Sequence, residues 1–448
     1  MCSRLVLIHG KTKLKNREAK LSICQKLAVS VLLLPFLTLN VSAQELQNLS
    51  LENAIDLAIS SDDWLVVSEH EESALLEQAT ASGELPDPRM MVGLSNMPLD
   101  TLNFNQEPMT QFRVGINQAF PRGDSLELQR RRDVQQSEIN PFQRDDRKAA
   151  VSLEVSRLWL DGYLAEQSIS LINDDRVLFE QLVDITNARY TSAAGLARQQ
   201  DLVRAEVELV RLDDRLAMLR QSQDKNKQKL AEWIPYEAVS LPLSAEQPQL
   251  LPPSMELSSL SQAGDFFVNH PRVRAQDKEI EIAQTQVEIT KQSFKPSYSV
   301  GASYGYRDNT RTGIERADFI SLDLSFDLPL FTEKRQKPRL RASQYRASAR
   351  QTERILLIKD LFANYQQAMA QLAVLDERRA LFNDSLLSQL SDLTEATLSS
   401  YTADEGDFEE VMRAYIAELN AKIELLQIEV ERLKMISHLD YLLTTSGL

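Results

Sequence analysis

The sequence predicts a mainly α-helical chain with a membrane β-barrel portion: long coiled-coil helices plus four β-strands per chain, arranged as two internal structural repeats. Three observations predict it. Landmarks recur at a fixed offset, ten-residue segments alternate strictly between apolar and polar, and stretches such as 125–187 carry apolar residues at coiled-coil spacing.

The first element is a leader. Residues Leu27 to Val41 form an apolar run broken only by Ser30, Pro35, Thr38 and Asn40, preceded by a basic region and followed by Val41-Ser42-Ala43. This is the layout of a secretory signal peptide over residues 1–43, with cleavage before Gln44. The run is shorter than the ~20 apolar residues that a spanning helix needs. Both cysteines, Cys2 and Cys24, fall inside the leader, so the exported chain is expected to hold no disulfide and no thiolate metal site. Cys24 also precedes the apolar core, where a lipid-attachment cysteine would not stand. The leader carries seven Lys or Arg and one Glu, so its removal takes the net charge from −15 to −21. That acidity makes nucleic acid a poor partner.

The repeat organises the remainder. Leu51 to Asp62 matches Leu260 to Pro271, Phe120-Pro121 matches Leu328-Pro329, and Asp201-Leu202-Val203-Arg204-Ala205 matches Glu410-Val411-Met412-Arg413-Ala414. These pairs keep one offset to within a residue. The expected units are 44–250 and 251–448, joined by the Pro-rich stretch Pro242 to Pro253.

Each unit opens with a helix, Leu51 to Ser82 and Ser258 to Gln292, ended by Pro86 and Pro88 or by Pro296. Strands follow. Ile320, Leu322, Leu324 and Phe326 alternate with Ser321, Asp323 and Ser325; Tyr298, Val300, Tyr304 and Tyr306 alternate with Ser299, Gly301, Ser303 and Gly305; and Phe112, Val114 and Ile116 alternate with Arg113, Gly115 and Asn117. Such segments fit the spans of a membrane barrel. A soluble antiparallel sheet with one buried face shows the same alternation. Then come the long helical stretches, Ser125 to Asn187 and Arg339 to Leu398, each followed by a tip turn and a returning helix. At 1.5 Å per residue, 60 helical residues reach ~90 Å. Pro141 is expected to kink or interrupt the first of them.

Four strands cannot close a membrane barrel, whose smallest examples have ~8, and open edges are not tolerated in lipid. Copies of the chain are therefore expected to share one barrel.

These residues resemble the TolC family of outer-membrane efflux proteins over essentially the whole mature chain. The sharper pieces are Gly195 to Ala205 and Tyr401 followed by Glu410 to Ala414. The resemblance implies a homotrimer with a twelve-stranded barrel and a twelve-helix tube, placed in the cell outer membrane and extending into the periplasm. It also implies a periplasmic adaptor and an inner-membrane RND pump as partners, and outer-membrane lipid around the strands. Leu85 to Met90, Asn96 to Thr101, Glu107 to Thr110 and Gln118 to Gly123 look like the heavy-metal branch, which exports copper and silver or cobalt, zinc and cadmium. The same duct for drugs or type I secretion is the alternative cargo, and a soluble periplasmic coiled-coil scaffold is the alternative of another class.

By motif, the resemblance implies that Tyr401, Glu410, Arg413 and Asp201 line or latch the periplasmic aperture; Arg413 stands where relatives often carry an acid, and this departure points to a Glu410 to Arg413 pair across or along the helices. It places adaptor docking at the tips, Tyr190, Gly195, Leu196, Asp404, Gly406 and Phe408. Ordinary solvated charges on an amphipathic helix would look the same. Met90, Met91, Met97 and Met109 cluster in sequence as soft-ligand types, but neighbours on a strand point to opposite faces, and no metal site is assigned. No phosphate loop, H-E-x-x-H or nucleophile elbow occurs. The chain is expected to be no enzyme and to need no cofactor.

Overall fold

The computed structural model describes residues 48–191, 198–403 and 405–446. Residues 1–43, expected as a leader, and Gly195, Leu196 and Asp404, expected at the tips, lie outside the described residues.

The first elements of the described residues are α1 (Leu51–Ser60) and α2 (Asp63–Gly83). The single helix expected over Leu51 to Ser82 is thus two. Asp62 causes the break: it leaves helical geometry, its carboxylate accepts from the Trp64 backbone N–H at 3.1 Å, and it starts a new helix. Arg147 grips the same carboxylate at 2.7 Å and lays its guanidinium over Trp64 and Trp233.

Strands β1 (Arg89–Ser95) and β2 (Gln111–Phe120) lead into α3 (Ser125–Ser137) and the 53-residue α4 (Ile139–Thr191). The interruption expected from Pro141 falls at Glu138, where the proline's missing N–H and the steric demand of its ring on the preceding turn act. Next come the returning helix α5 (Gln199–Leu230) and the short α6 (Tyr236–Val239).

The second helix expected as one piece, Ser258 to Gln292, is also divided, into α7 (Leu260–Phe267) and α8 (Pro271–Gln292). His270 caps α8 and Pro271 occupies its first turn, which suits proline's fixed φ. Then follow β3 (Ser297–Tyr306), β4 (Phe319–Asp327) and α9 (Gln336–Leu381). A π-helical segment (Phe382–Leu386) joins α9 to α10 (Leu387–Thr402), and α11 (Phe408–Leu442) returns. Among the described residues, no helix is long and apolar enough to cross a membrane.

The elements form three tiers. Among the described residues, four strands make one antiparallel sheet in the order β1-β2-β3-β4. Next to it, α2 packs on α3, α3 on α8 and α8 on α9. Along the shaft, α5 packs on α4, α4 on α11, and α11 on α9 and α10. Three apolar clusters hold the helices. One gathers around Trp159, which is 1% exposed, stacks on Tyr163 and donates its indole N–H to the Leu49 carbonyl at 3.0 Å. The second runs along the shaft from Ile172 to Phe408, and the third surrounds Phe267, Tyr365 and Ile436.

Candidate functional site

The register of the sheet sorts its side chains onto two unlike faces. Leu94 pairs with Phe112, Phe112 with Tyr306, Val114 with Tyr304, Tyr304 with Ile320, Val300 with Leu324 and Tyr298 with Phe326. Because side chains alternate along a strand, these residues and Val92, Ile116 and Leu322 share one face. That face is uncovered: Ile320 and Leu322 are 80% and 81% exposed. A water-soluble sheet would bury it.

The opposite face carries Arg113, Asn117, Ser299, Ser303, Ser321, Asp323, Ser325 and Asp327. These residues bond to one another: Arg113 donates to Ser303 Oγ at 2.8 Å, Asn117 to Ser299 Oγ at 3.4 Å, and the hydroxyls of Ser299 and Ser325 meet at 2.7 Å. Gly115 sits on this polar face, where a Cβ would lie 2.9 Å from Ser303 Cβ. Where sheet meets helices, Arg122 pairs with Asp327 and donates to the Ser293 carbonyl, and Lys295 pairs with Asp124 at 2.8 Å. Gly123 has φ +48°, a conformation that favours glycine, and a Cβ there would fall 2.3 Å from Lys295 Cδ and displace that side chain.

At the far end of the shaft the two helical hairpins are tied together. Tyr401 is buried against Phe408, its hydroxyl lies 3.4 Å from Thr186 Oγ1 of α4, and the Arg189 guanidinium sits 4.5 Å from its ring centre. Glu409 of α11 meets Arg204 of α5 and, at 3.0 Å, Arg413. Along α11, Arg413 thus uses the four-residue spacing to Glu409 in place of the expected Glu410, which is exposed. Asp201 caps α5, accepting from the Arg198 backbone N–H at 3.0 Å, and is buried. Of the tip residues, Tyr190 is 43% exposed. Gly406 closes the turn by donating to the Ser400 carbonyl at 3.1 Å. Phe408 is buried in the shaft cluster, which removes its side chain from any outer docking surface.

Sequence reasoning missed the ladder between hairpins farther along the shaft. Lys434 meets Asp161 at 2.5 Å, Lys422 meets Asp175 at 3.4 Å and Arg215 donates to Asn420 at 2.7 Å. The charge types were visible, but which helices would face each other was not. Met90 and Met91 lie on opposite faces, and among the described residues no group of three His, Cys, Asp or Glu could hold a metal.

Two histidines lowered by burial shape the pH response, His270 most strongly, with His438 acting in the same sense. His270 is 1% exposed, its Nδ1 accepts from the Arg272 backbone N–H at 3.2 Å, and its ring lies edge-on to Phe267 and Tyr441. Burial, reinforced by the Arg272 charge, pushes the imidazole from 6.5 down to about 4. The unfolded chain therefore binds more protons between these values, and stability is lost as pH falls from 6.5 toward 4. The full contribution is about 3 kcal/mol. Burial raises the carboxyl of Asp146, bonded to Tyr441, and works in the opposite sense as that group protonates. In His270→Asn an acceptor for the Arg272 N–H remains, and the drop in melting temperature between pH 6.5 and 4 is expected to shrink to the part that His438 contributes.

The comparisons follow this geometry. Residues 264–439 match the family model described as outer membrane efflux protein. No curated protein sequence matches the chain. The whole architecture is similar to solved structures at low identity. CusC, whose structures are described in terms of transmembrane channel formation, aligns with TM-score 0.70 and 14% identity over 88% of this chain and 92% of its own. The outer-membrane channel OprN aligns with TM-score 0.73 and 14% identity over 89% and 90%. The outer membrane protein VceC from Vibrio cholerae aligns with TM-score 0.70 and 14% identity over 88% and 96%. The chain therefore has the fold of the TolC-like outer-membrane channels, and its residues 264–439 carry the sequence pattern of the outer membrane efflux protein family.

Proposed function

We propose that the chain is the exit duct of a tripartite efflux system, a passive homotrimer that spans the cell outer membrane and extends into the periplasm. The observation that carries this reading is that all three tiers are left open at corresponding edges. The sheet ends in unpaired β1 and β4, the upper helices end in α2 and α9, and the shaft ends in α5 and α10. Apolar side chains line the helical edges: Trp64, Val66 and Val67 on α2, Ile355 and Leu356 on α9, Val203, Val207, Val210 and Met218 on α5, and Leu393 on α10. Neighbouring copies would cover them all and close the sheet in lipid.

The contacts within one copy set the level of each edge. Arg204 meets Glu409 and Arg215 meets Asn420, while Arg379 meets Glu429 and Tyr401 meets Phe408. Counting from these contacts puts Met218 level with Leu386, Val210 with Leu393, and exposed Arg220 with exposed Asp384. Oxidation of the paired variant Met218→Cys with Leu386→Cys is expected to yield cross-linked dimers and trimers of the membrane-extracted protein. Monomer alone after oxidation would count against the closed shaft.

Heavy-metal cations are the cargo this reading assigns, supported by the Leu85 to Gly123 motifs and by Asp323 and Asp327 on the polar sheet face. A deletion strain is expected to become sensitive to copper, silver, zinc or cobalt; sensitivity to organic toxins instead would assign a drug duct. The reading takes residues 1–43 as a removed leader and 44–250 and 251–448 as two repeats of one unit. Energy comes from an inner-membrane RND pump, and the tips at Tyr190, Gly195, Leu196, Asp404 and Gly406 receive a periplasmic adaptor. The Tyr401 and Glu409 ties latch the hairpins, Asp201 holds the tip of α5 in shape, and Glu410 and Arg413 present charge toward the aperture.

A further inference from the structure

The loop between β1 and β2, residues 96–110, spends polar interactions on holding apolar side chains out. Leu99 is 92% exposed and Leu102 68%. A backbone bond from Leu102 N–H to the Pro98 carbonyl closes a turn around them at 3.0 Å, and Leu102 itself has φ +50°, which costs a branched residue about 1 kcal/mol. The loop is braced from within: Gln106 bonds to Thr101 and donates to Asp100, and Thr110 Oγ1 donates to the Asn96 carbonyl at 2.7 Å. It is braced from the side as well, since Arg307 and Arg316 of the neighbouring β3–β4 loop donate to the carbonyls of Pro108 and Glu107, each at 3.2 Å. A loop so fixed cannot fold its leucines inward.

Its placement identifies what covers them. The Phe104 ring stacks on Tyr306 at 6.4 Å, and Tyr306 stands at the end of the apolar face, opposite Phe112. Phe104 therefore joins the loop to the end of that face, and the exposed Leu99 and Leu102 lie in the same loop beyond the strand ends. Resting on the reading of that face as lipid-facing, we propose that this loop is a membrane-interface anchor, with Leu99, Leu102 and Phe104 seated at the boundary between headgroups and acyl chains.

The chain's two cysteines, Cys2 and Cys24, can be replaced by Ser, leaving a background for single cysteines. Nitroxide labels at Leu99→Cys and Leu102→Cys would be compared with Leu322→Cys on the sheet and Leu251→Cys in the linker, in phosphatidylcholine and phosphatidylethanolamine proteoliposomes. The expected result is an oxygen-to-nickel-chelate accessibility ratio at positions 99 and 102 several-fold above that at 251, approaching that at 322. Ratios at 99 and 102 equal to that at 251, with 322 still protected from nickel, overturn the anchor and leave the duct intact. Strong spin–spin broadening at 99 or 102 overturns it in favour of contact between copies. Free nickel access at 322 overturns both the anchor and the membrane wall on which it rests.

Discussion

Leu322→Arg is expected to abolish the heat-resistant, membrane-inserted form while leaving the helical shaft spectroscopically intact. Leu322 is 81% exposed at the middle of β4, on the apolar face. An arginine there costs about 2–4 kcal/mol at the bilayer midplane, and every copy in a shared barrel would carry it. Ser321→Arg, one residue away, points to the polar face beside Ser303 and is expected to insert normally. Unheated gel migration of the two variants separates the readings. Equal behaviour of both would mean that the apolar face is covered by protein rather than lipid.

Trp159→Ala is expected to cost about 3–5 kcal/mol, the usual range for emptying a large buried aromatic site. Trp159 fills the first helical cluster, stacks on Tyr163 at 5.4 Å, and satisfies the Leu49 carbonyl through its indole N–H. Removing it leaves a cavity and takes one of two hydrogen bonds from the Leu49 carbonyl, which still accepts from the Ser244 backbone N–H at 3.0 Å. Trp159→Phe keeps most of the volume and loses the hydrogen bond, so it is expected to fall between alanine and the parent in denaturant midpoint. A midpoint for Trp159→Ala within error of the parent would show that this cluster does not anchor the segment around Leu49 to α4.

The strands and the shaft were legible because their signals are local and periodic. A period of two over Ile320 to Phe326 leaves one choice of face, and the structure puts that set on one side of the sheet. The helix breaks at Asp62 and His270 were not read, although each rests on a single capping side chain, because apolar periodicity continued across them. The partner of Arg413 was open for a different reason. Spacings of three and four residues both bring side chains together on a helix, and Arg204, arriving from α5, shares the carboxylate of Glu409 rather than that of Glu410. Phe408 reads as a tip residue by position, yet it is a core residue, since the turn at Gly406 folds it under Tyr401. Contacts such as Arg147 between Trp64 and Trp233 join residues far apart in sequence, and no local pattern marks them.

Native mass spectrometry of the detergent-extracted protein tests the shared wall most directly. The account predicts a single species of three chains, released from the micelle intact and absent from the detergent-free extract. A monodisperse single chain that stays dissolved without detergent would contradict it, because four strands with two open edges and an uncovered apolar face would then be stable in water alone.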